Sequence, residues 1–583
     1  MSPASTTPEQ AKERAVTPPP QGASTARPST QATTRRGFLG LVGLTAAAGV
    51  LSACSPPGTP RPGTGGATAA AGDKLKALTP AFVPFDAIKP DLPGTRSTLP
   101  GVPDISGGFS SYPADPVPAL TRKAGRGGSY KAMTPLWGPP PPGLASNSYF
   151  QAVNADIGAT LEFQITDGVT YVDKAIARLA ARDIPDLMCI PNWEIDKMAD
   201  FNKAVDQAFE DLTPYLQGDR VKAYPLLANL PTAAWQWSIW NGKLMGVPYP
   251  TEPFPYALLY RKDLFDENGW NQNPRTADEL YRLGKEITDA KAKRWAFGDI
   301  HEMAWPIFKV PQEWRYEGGK LIHKYETPEW ELMLEWMRKL FAEGLIHPSV
   351  AGSKGANEKE LIGAGQILVY RDGLGGWKEL LQQHRPKNPG FALGVLPVFA
   401  HDGGTPIMYH NTAAGLFTFI RKGTPKAQVE ELLSILDWCA APYGTKEYEL
   451  ANYGVKGKHF TLGSDGVPKL TDLGTKEVAY TYGFLGGRPL YVDWPFPDAA
   501  KANLAWQNAT FPYIEKTPFD GIRIQRPGKY AGLQVPTEDK FTDIMRGRRP
   551  VSDAKQIAAE WRRDGGDEAR AFYLKVLRDN GRA

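Results

Sequence analysis

From Tyr130 onward, the spacing of apolar residues switches repeatedly between strand alternation and the 3.6-residue period of a helix. SYKAMTPLW (129–137) reads as a strand followed by a Pro/Gly loop. A short helix around 147–157 leads to a second strand, ATLEFQIT (159–166). Across 171–182, Val172, Ala175, Ile176, Leu179 and Ala180 recur at helical spacing. Ile184-Pro185-Asp186 stops that helix, and LMCI (187–190) forms a third strand. This βαβα order predicts a parallel sheet with right-handed crossovers. Ligands of such sheets bind beyond the C-terminal strand ends, so loops 137–147, 166–170 and 191–196 are expected wall segments.

The pattern continues to the end of the chain. Thr276-Ala277-Asp278-Glu279 reads as a capping box opening a helix with Leu280, Leu283 and Ile287 on one face. Thr327-Pro328 opens another, with Trp330, Met333, Met337, Leu340 and Phe341 inward and Gly344 ending it. Residues 366–370, 391–397 and 415–420 read as strands. Val429, Leu432, Leu433, Leu436 and Cys439 share a helix face. Two closing helices carry Ala554, Ile557, Ala558 and Trp561, then Ala569, Phe572, Tyr573, Val576 and Leu577. Trp336, Trp438 and Trp561 fall at helical apolar spacing and are expected in the core.

The first 128 residues follow other rules. Residues 1–34 are polar, and Arg35-Arg36 then precedes an apolar stretch to Val50 and Leu51-Ser52-Ala53-Cys54. The stretch has the length of a signal-peptide core and is too short to span a bilayer well. The arginine pair resembles a twin-arginine export signal, and Leu-Ser-Ala-Cys resembles the lipobox of bacterial lipoproteins. Cys54 is therefore the expected lipidated first residue of a mature protein on the outer face of the cytoplasmic membrane. Residues 55–72 form a Pro/Gly/Ala/Thr tether. Residues 73–128 remain Pro/Gly-rich but carry spaced apolar groups, and are expected to lie as an extended arm on the first lobe.

Composition narrows the function. The 583 residues are 42% hydrophobic and 22% charged, too long for one core and ordinary for globular protein. Sixty-seven basic against 63 acidic residues lack the basic excess of a nucleic-acid binder. Three Cys exclude a disulfide scaffold; Cys189 and Cys439 are expected as buried free thiols, with pairing left open. H-E-x-x-H, G-x-S-x-G, Walker A and C-x-x-C patterns are missing, and Gly373-Leu374-Gly375-Gly376 is half a dinucleotide fingerprint. No catalytic residue, cofactor or metal is expected.

Three segments carry a family resemblance. NGKLMGVPYPTEPFPYALLYRKDLF (241–265), LLSILDWCAAPYGTKEYELANYGVKGKHFTL (432–462) and IMRGRRPVSDAKQIAAEWRRDGGDEARAFY (544–573) are similar, in this order, to segments of extracellular solute-binding lipoproteins of sugar ABC importers. The third is similar to the C-terminus of the large lipoprotein subgroup that includes alginate- and pectin-fragment-binding proteins. The resemblance implies an α/β, type II-like periplasmic-binding-protein clamp. Its two lobes would be joined by three crossings, near 250–255, 395–405 and 470–490. The implied segments are a signal peptide (1–53), tether and arm (54–127), first lobe (128–252 and 400–475) and second lobe (253–399 and 476–583). The implied partners are a carbohydrate and the permease of an ABC importer with its separate ATPase; the protein itself would be a monomer. The subgroup's acidic Ca²⁺ loop is replaced here by Asp289-Ala290-Lys291-Ala292-Lys293-Arg294, which lacks the oxygen ligands and weakens any carry-over of uronate specificity.

Sugar recognition pairs aromatic rings on flat C–H faces with polar groups on the hydroxyl rim. Candidates by position are Trp137 and Asn147 after the first strand, and Asn192, Trp193 and Glu194 after the third. Trp237 precedes the first crossing, and Tyr249, Glu252 and Tyr256 sit on it. Trp305, Arg371, Asp372 and Trp377 belong to the second lobe, with Tyr409, His410 and Asn411 beside the second crossing. Trp377 is expected to stack on ligand, so that its loss weakens binding and spares the unliganded fold. Alternation would place Trp235 and Trp237 on one face. Arg261 and Asp263 are expected to pair structurally, and His301 and His323 to be surface or packed. A peptide or other non-sugar solute, and a secreted glycoside hydrolase, whose paired carboxylates leave no motif, stay open as alternatives.

Overall fold

The structure, a computed structural model, describes residues 77–583 except 100–101, 196, 199–200, 353–357, 465 and 525. All belong to the unit Pro62–Ala583. Arg35-Arg36, Cys54 and the tether lie outside the described residues.

The first sheet has five strands: β1 (Ser129–Leu136), β2 (Thr160–Asp167), β3 (Leu187–Pro191), β4 (Val247–Pro250) and β9 (Ala414–Ile420), in the order β2-β1-β3-β9-β4. β1 runs parallel to β2 and β3, and β9 antiparallel to β3 and β4, so the sheet is mixed. The central strands β3 and β9 are buried along their whole length, which explains their unbroken apolar runs. Side chains still alternate: Leu187 and Cys189 enter one core with α1 (Ser148–Ile157) and α6 (Lys426–Cys439). Met188 and Ile190 enter the other, against α2 (Tyr171–Ala181). Cys189 and Cys439 are buried free thiols.

The second sheet orders four strands as β8-β5-β7-β6: β5 (Ala257–Tyr260), β6 (Trp295–Phe297), β7 (Ile367–Asp372) and β8 (Gly394–Val395). Only two residues of the expected strand 391–397 pair. Around it stand α3 (Ala277–Ile287), α4 (Pro328–Ala342), α5 (Leu374–His384), α7 (Pro497–Thr510), α8 (Gly528–Met545), α9 (Ala554–Trp561) and α10 (Asp567–Asp579). The sequence reading missed α7 and α8. The Glu279 N–H donates to Thr276 Oγ1 at 3.1 Å, but the Glu279 carboxylate accepts from Arg275 N–H rather than closing the capping box. α4 points Trp330, Met333, Trp336, Met337 and Leu340 inward and ends at Gly344, whose φ of 66° suits glycine. Trp438 and Trp561 are likewise buried. Arg261 binds Asp263 with two hydrogen bonds, at 2.9 and 2.7 Å. In the turn after α3, Asp289 Oδ1 accepts the N–H groups of Lys291 and Ala292.

The chain passes between lobes from β4 to β5, from β8 to β9, and again before α7. Leu396, Phe399 and Met408 pack in the second core, so the return to the first lobe begins after 408, later than residue 400. Tyr482 and Leu485 pack in the first core and Val492 in the second, which moves the third passage from 476 to 486–492. Glu477 holds that segment to the first lobe by accepting N–H bonds from Ser148 and Tyr149 at the start of α1.

The arm departs most from expectation. It starts on the first lobe, where Val83 N–H donates to Ala228 O at 2.8 Å. Leu92 and Thr95 then pair with Gly108 and Ile105 as a hairpin, and Val102 and Ile105 enter the second core. Val492 on the third passage exchanges backbone bonds with Gly107 and Phe109, at 2.8 and 3.1 Å. The arm returns to the first lobe, where Val117 bonds Gly444 and Lys446 and the Ala119 and Leu120 N–H groups bind the Glu447 carboxylate. It therefore adds an outward and a return pass to the three crossings. Its apolar pair is what draws it to the second core.

Candidate functional site

Strand direction brings the same edge of each sheet to the crossings. β1, β2, β3 and β4 are co-directional, and β4 ends at the first crossing. β5 begins there and is antiparallel to β7, so β7 ends there too, with Asp372 opposite Ala257. β6 is parallel to β7 and ends on the same side. The residues after β1, β3, β4, β6 and β7 thus form one region, as expected for sheets of this kind.

On the first lobe, Trp137 follows β1 and Trp193 lies in the short helix Asn192–Ile195 after β3. Their rings stand 5.9 Å apart at 45° and are 40% and 46% exposed. Trp137 lies on the loop after β2: a Cβ on Gly168 would approach its indole to 2.3 Å, so only glycine permits this seat. Phe484 closes the far edge of Trp137 at 5.8 Å, and Tyr480 packs on Phe484 at 4.9 Å. Tyr249 and Tyr480 hydroxyls bond each other at 2.9 Å, and Arg488 donates to the Tyr480 hydroxyl.

On the second lobe, Arg371 at the end of β7 pairs with Glu302 at 2.9 Å and lies over the Tyr256 ring at 5.4 Å. Asp299, after β6, meets His301 Nδ1 at 2.6 Å, and its N–H donates to Glu358 at 2.7 Å. Burial opposes ionisation of Asp299, but the His301 and Arg371 charges outweigh it and hold the carboxyl well below its usual range. Burial pushes Glu358 up to about 7. On the third passage, Asp493 pairs with Lys378 at 2.6 Å, accepts from the Tyr448 hydroxyl and lies 4.0 Å from Arg488. Asn411 ties the crossings together, donating from Nδ2 to Glu252 O at 3.3 Å and from its backbone to Pro253 O at 2.7 Å.

The region gathers Trp137, Asn192, Trp193, Tyr249, Glu252, Tyr256, Arg371 and Asp372 from the sequence-derived set. Others are placed elsewhere. Trp377 is 1% exposed inside α5, edge-on to Trp494 at 5.1 Å. Tyr409 is 1% exposed and donates its hydroxyl to Val310 O at 2.7 Å. Buried Asn147 caps α1 and donates to Glu477 O. Buried Glu194 pairs with Lys197 at 3.0 Å. His410 binds Asp520 at 2.8 Å. Half-buried Trp305 is not among those placed elsewhere: it stands edge-on to His301 at 5.8 Å beside the region, with one face under the Lys324 ammonium at 4.3 Å. Trp235 ends up in a short helix, buried, so strand alternation does not apply to it, while Trp237 is half-buried with the Arg523 guanidinium at 5.5 Å. The reading missed Asp299, Glu302, Glu358, Lys378, Tyr480, Phe484, Arg488 and Asp493. The run Arg488-Pro-Leu-Tyr-Val-Asp493 within the expected third crossing was the available signal.

Residues 142–445, just over half of the chain, match the family model for the bacterial extracellular solute-binding protein. The chain belongs to that family. Among curated relatives, it is 24% identical to the polygalacturonan/rhamnogalacturonan-binding protein YtcQ of Bacillus subtilis over 50% of this chain and 59% of that one. It is 25% identical to lipoprotein LipO of the same organism over 60% and 71%. This solute-binding protein also shares its two-lobe fold with solved structures. Alginate-binding protein AlgQ2, crystallised without calcium ion, superposes with TM-score 0.57 at 14% identity, over 78% of this chain and 99% of that one. The N-glycan transport solute-binding protein NgtS of Streptococcus pneumoniae, with Man1GlcNAc, gives 0.55 at 18%, over 78% and 97%.

Glu252 is expected to make the solute-binding protein's stability depend on pH. Burial, then the Asp493 charge, pushes its carboxyl from 4.5 up to about 7, with Lys378 opposing. A carboxyl raised by folding contributes stability that is full below its ordinary pKa and lost as pH rises through the folded value. Glu252→Gln fixes a neutral side chain. It is expected to match the wild type near pH 4 and to exceed it by about 1–3 kcal/mol near pH 8. Urea unfolding of both proteins across that range checks this; a difference independent of pH counts against it.

Proposed function

We propose that this solute-binding protein captures an extracellular oligosaccharide between its lobes. It then delivers the sugar to the permease of an ABC importer, whose ATPase is a separate chain. The exposed Trp137–Trp193 pair carries this reading, because two tilted indoles present apolar faces to successive pyranose rings. Half-buried Glu252, Arg371 and Asp372 supply partners for the hydroxyl rim. Closure by hinge motion about the crossings would favour a ligand touching both lobes. Export through the Arg35-Arg36 signal and a lipid anchor at Cys54 would hold the monomer beside its permease. The similarity to LipO supports the anchor.

Capture without turnover fits the geometry of the Ser148–His459–Glu477 grouping. Ser148 Oγ lies 3.0 Å from His459 Nε2 and donates to Glu477 at 2.6 Å. Val455 N–H donates to His459 Nδ1 at 2.9 Å, so the ring proton sits on Nε2 and the imidazole has no lone pair for the Ser148 proton. The group pins α1 instead.

Incubating the protein with a glycan library tests the proposal. The expected result is a saturable rise in Tm with ligand recovered intact, worth about 2.7 kcal/mol at a hundredfold excess over Kd. Released fragments would establish a glycosidase instead.

A further inference from the structure

Resting on that sugar-binding reading, we propose that the cleft selects uncharged, hydroxyl-rich oligosaccharides and rejects chains of uronic acid, because its cations are already matched by its own carboxylates. Arg371 is paired with Glu302 at 2.9 Å, and Lys378 with Asp493 at 2.6 Å; Arg488 shares Asp493 at 4.0 Å and is further engaged by the Tyr480 hydroxyl. His301 meets Asp299 at 2.6 Å, and Lys359 is held by Glu379 with Asp372 at 3.9 Å. Glu252 and Glu358 add two carboxyls that have no ion-pair partner among the described residues. Burial pushes both up to about 7, so they add negative charge above neutral pH, where binding is to be measured.

A sugar hydroxyl can donate to these carboxylates and leave every pair intact. The C6 carboxylate of a uronate has no such option, although its ring hydroxyls do. That carboxylate must draw a cation away from its partner or lie against the surplus acids, and half-dry surroundings make both costly. The Trp137–Trp193 pair serves both sugars alike, since it meets their C–H faces, so discrimination falls on charge. Relatives of this fold that are named for polygalacturonan and alginate make uronates the pertinent competitor.

Titration calorimetry with tetrasaccharides matched in linkage decides the point: galactose with galacturonate, mannose with mannuronate, glucose with glucuronate, each in low and high salt. The neutral member of the preferred pair is expected to bind at least ~100-fold more tightly than its uronate, with little effect of salt. Glu302→Gln, which leaves Arg371 without its carboxylate, is expected to narrow that gap by about tenfold. A uronate that binds as tightly as its neutral counterpart overturns the proposal, as does a gap that Glu302→Gln leaves unchanged. In those cases the sugar-binding reading survives. Failure of every pair to bind overturns the reading and the proposal together.

Discussion

Replacing Trp377 by alanine is expected to destabilise the unliganded protein by about 3–5 kcal/mol, the usual cost of emptying a buried indole site. The ring is 1% exposed, sits on α5 with Leu380 and Leu381 inward on the same face, and meets Trp494 edge-on at 5.1 Å. Trp494 follows the third passage, so the pair joins the second core to the chain just as it leaves the first lobe. The indole N–H has no hydrogen-bond partner among the described residues, so the loss is one of packing. Urea unfolding of the unliganded variant measures it. An unchanged midpoint combined with a large loss of affinity would return Trp377 to the ligand and redraw the cleft.

Trp193→Ala should do the reverse. Its ring is 46% exposed and touches Trp137 at 5.9 Å, so little packing depends on it. The Tm of the unliganded protein should stay nearly constant. Affinity for the cognate oligosaccharide should fall about tenfold to a hundredfold, the equivalent of about 1–3 kcal/mol of aromatic contact. Because the two rings touch, losses for Trp137→Ala and Trp193→Ala should not add. Calorimetry on the two single variants and the double variant reads this directly. Normal affinity in the double variant would remove the indole pair from the site.

These two tryptophans also mark the boundary of what was legible. Both follow strands in the sequence, and that position alone sent both to the cleft. Trp377, however, is three and four residues before Leu380 and Leu381, and a helical reading of that spacing places it inward.

What the sequence determined by itself was local. Alternation and 3.6-residue spacing marked β1, β2, β3, α2, α4 and α6, and the pairing of Arg261 with Asp263 needed only two residues. Tertiary structure decided the rest: the arm's passage to the second core, the third crossing at 486–492, and the pairing of Lys378 with Asp493 and of Arg371 with Glu302. The physical reason is chain separation. Periodicity records which face of an element is apolar, but it carries no term for which distant carboxylate neutralises a half-buried cation. The 115 residues between Lys378 and Asp493 are bridged only when the sheets and crossings have formed.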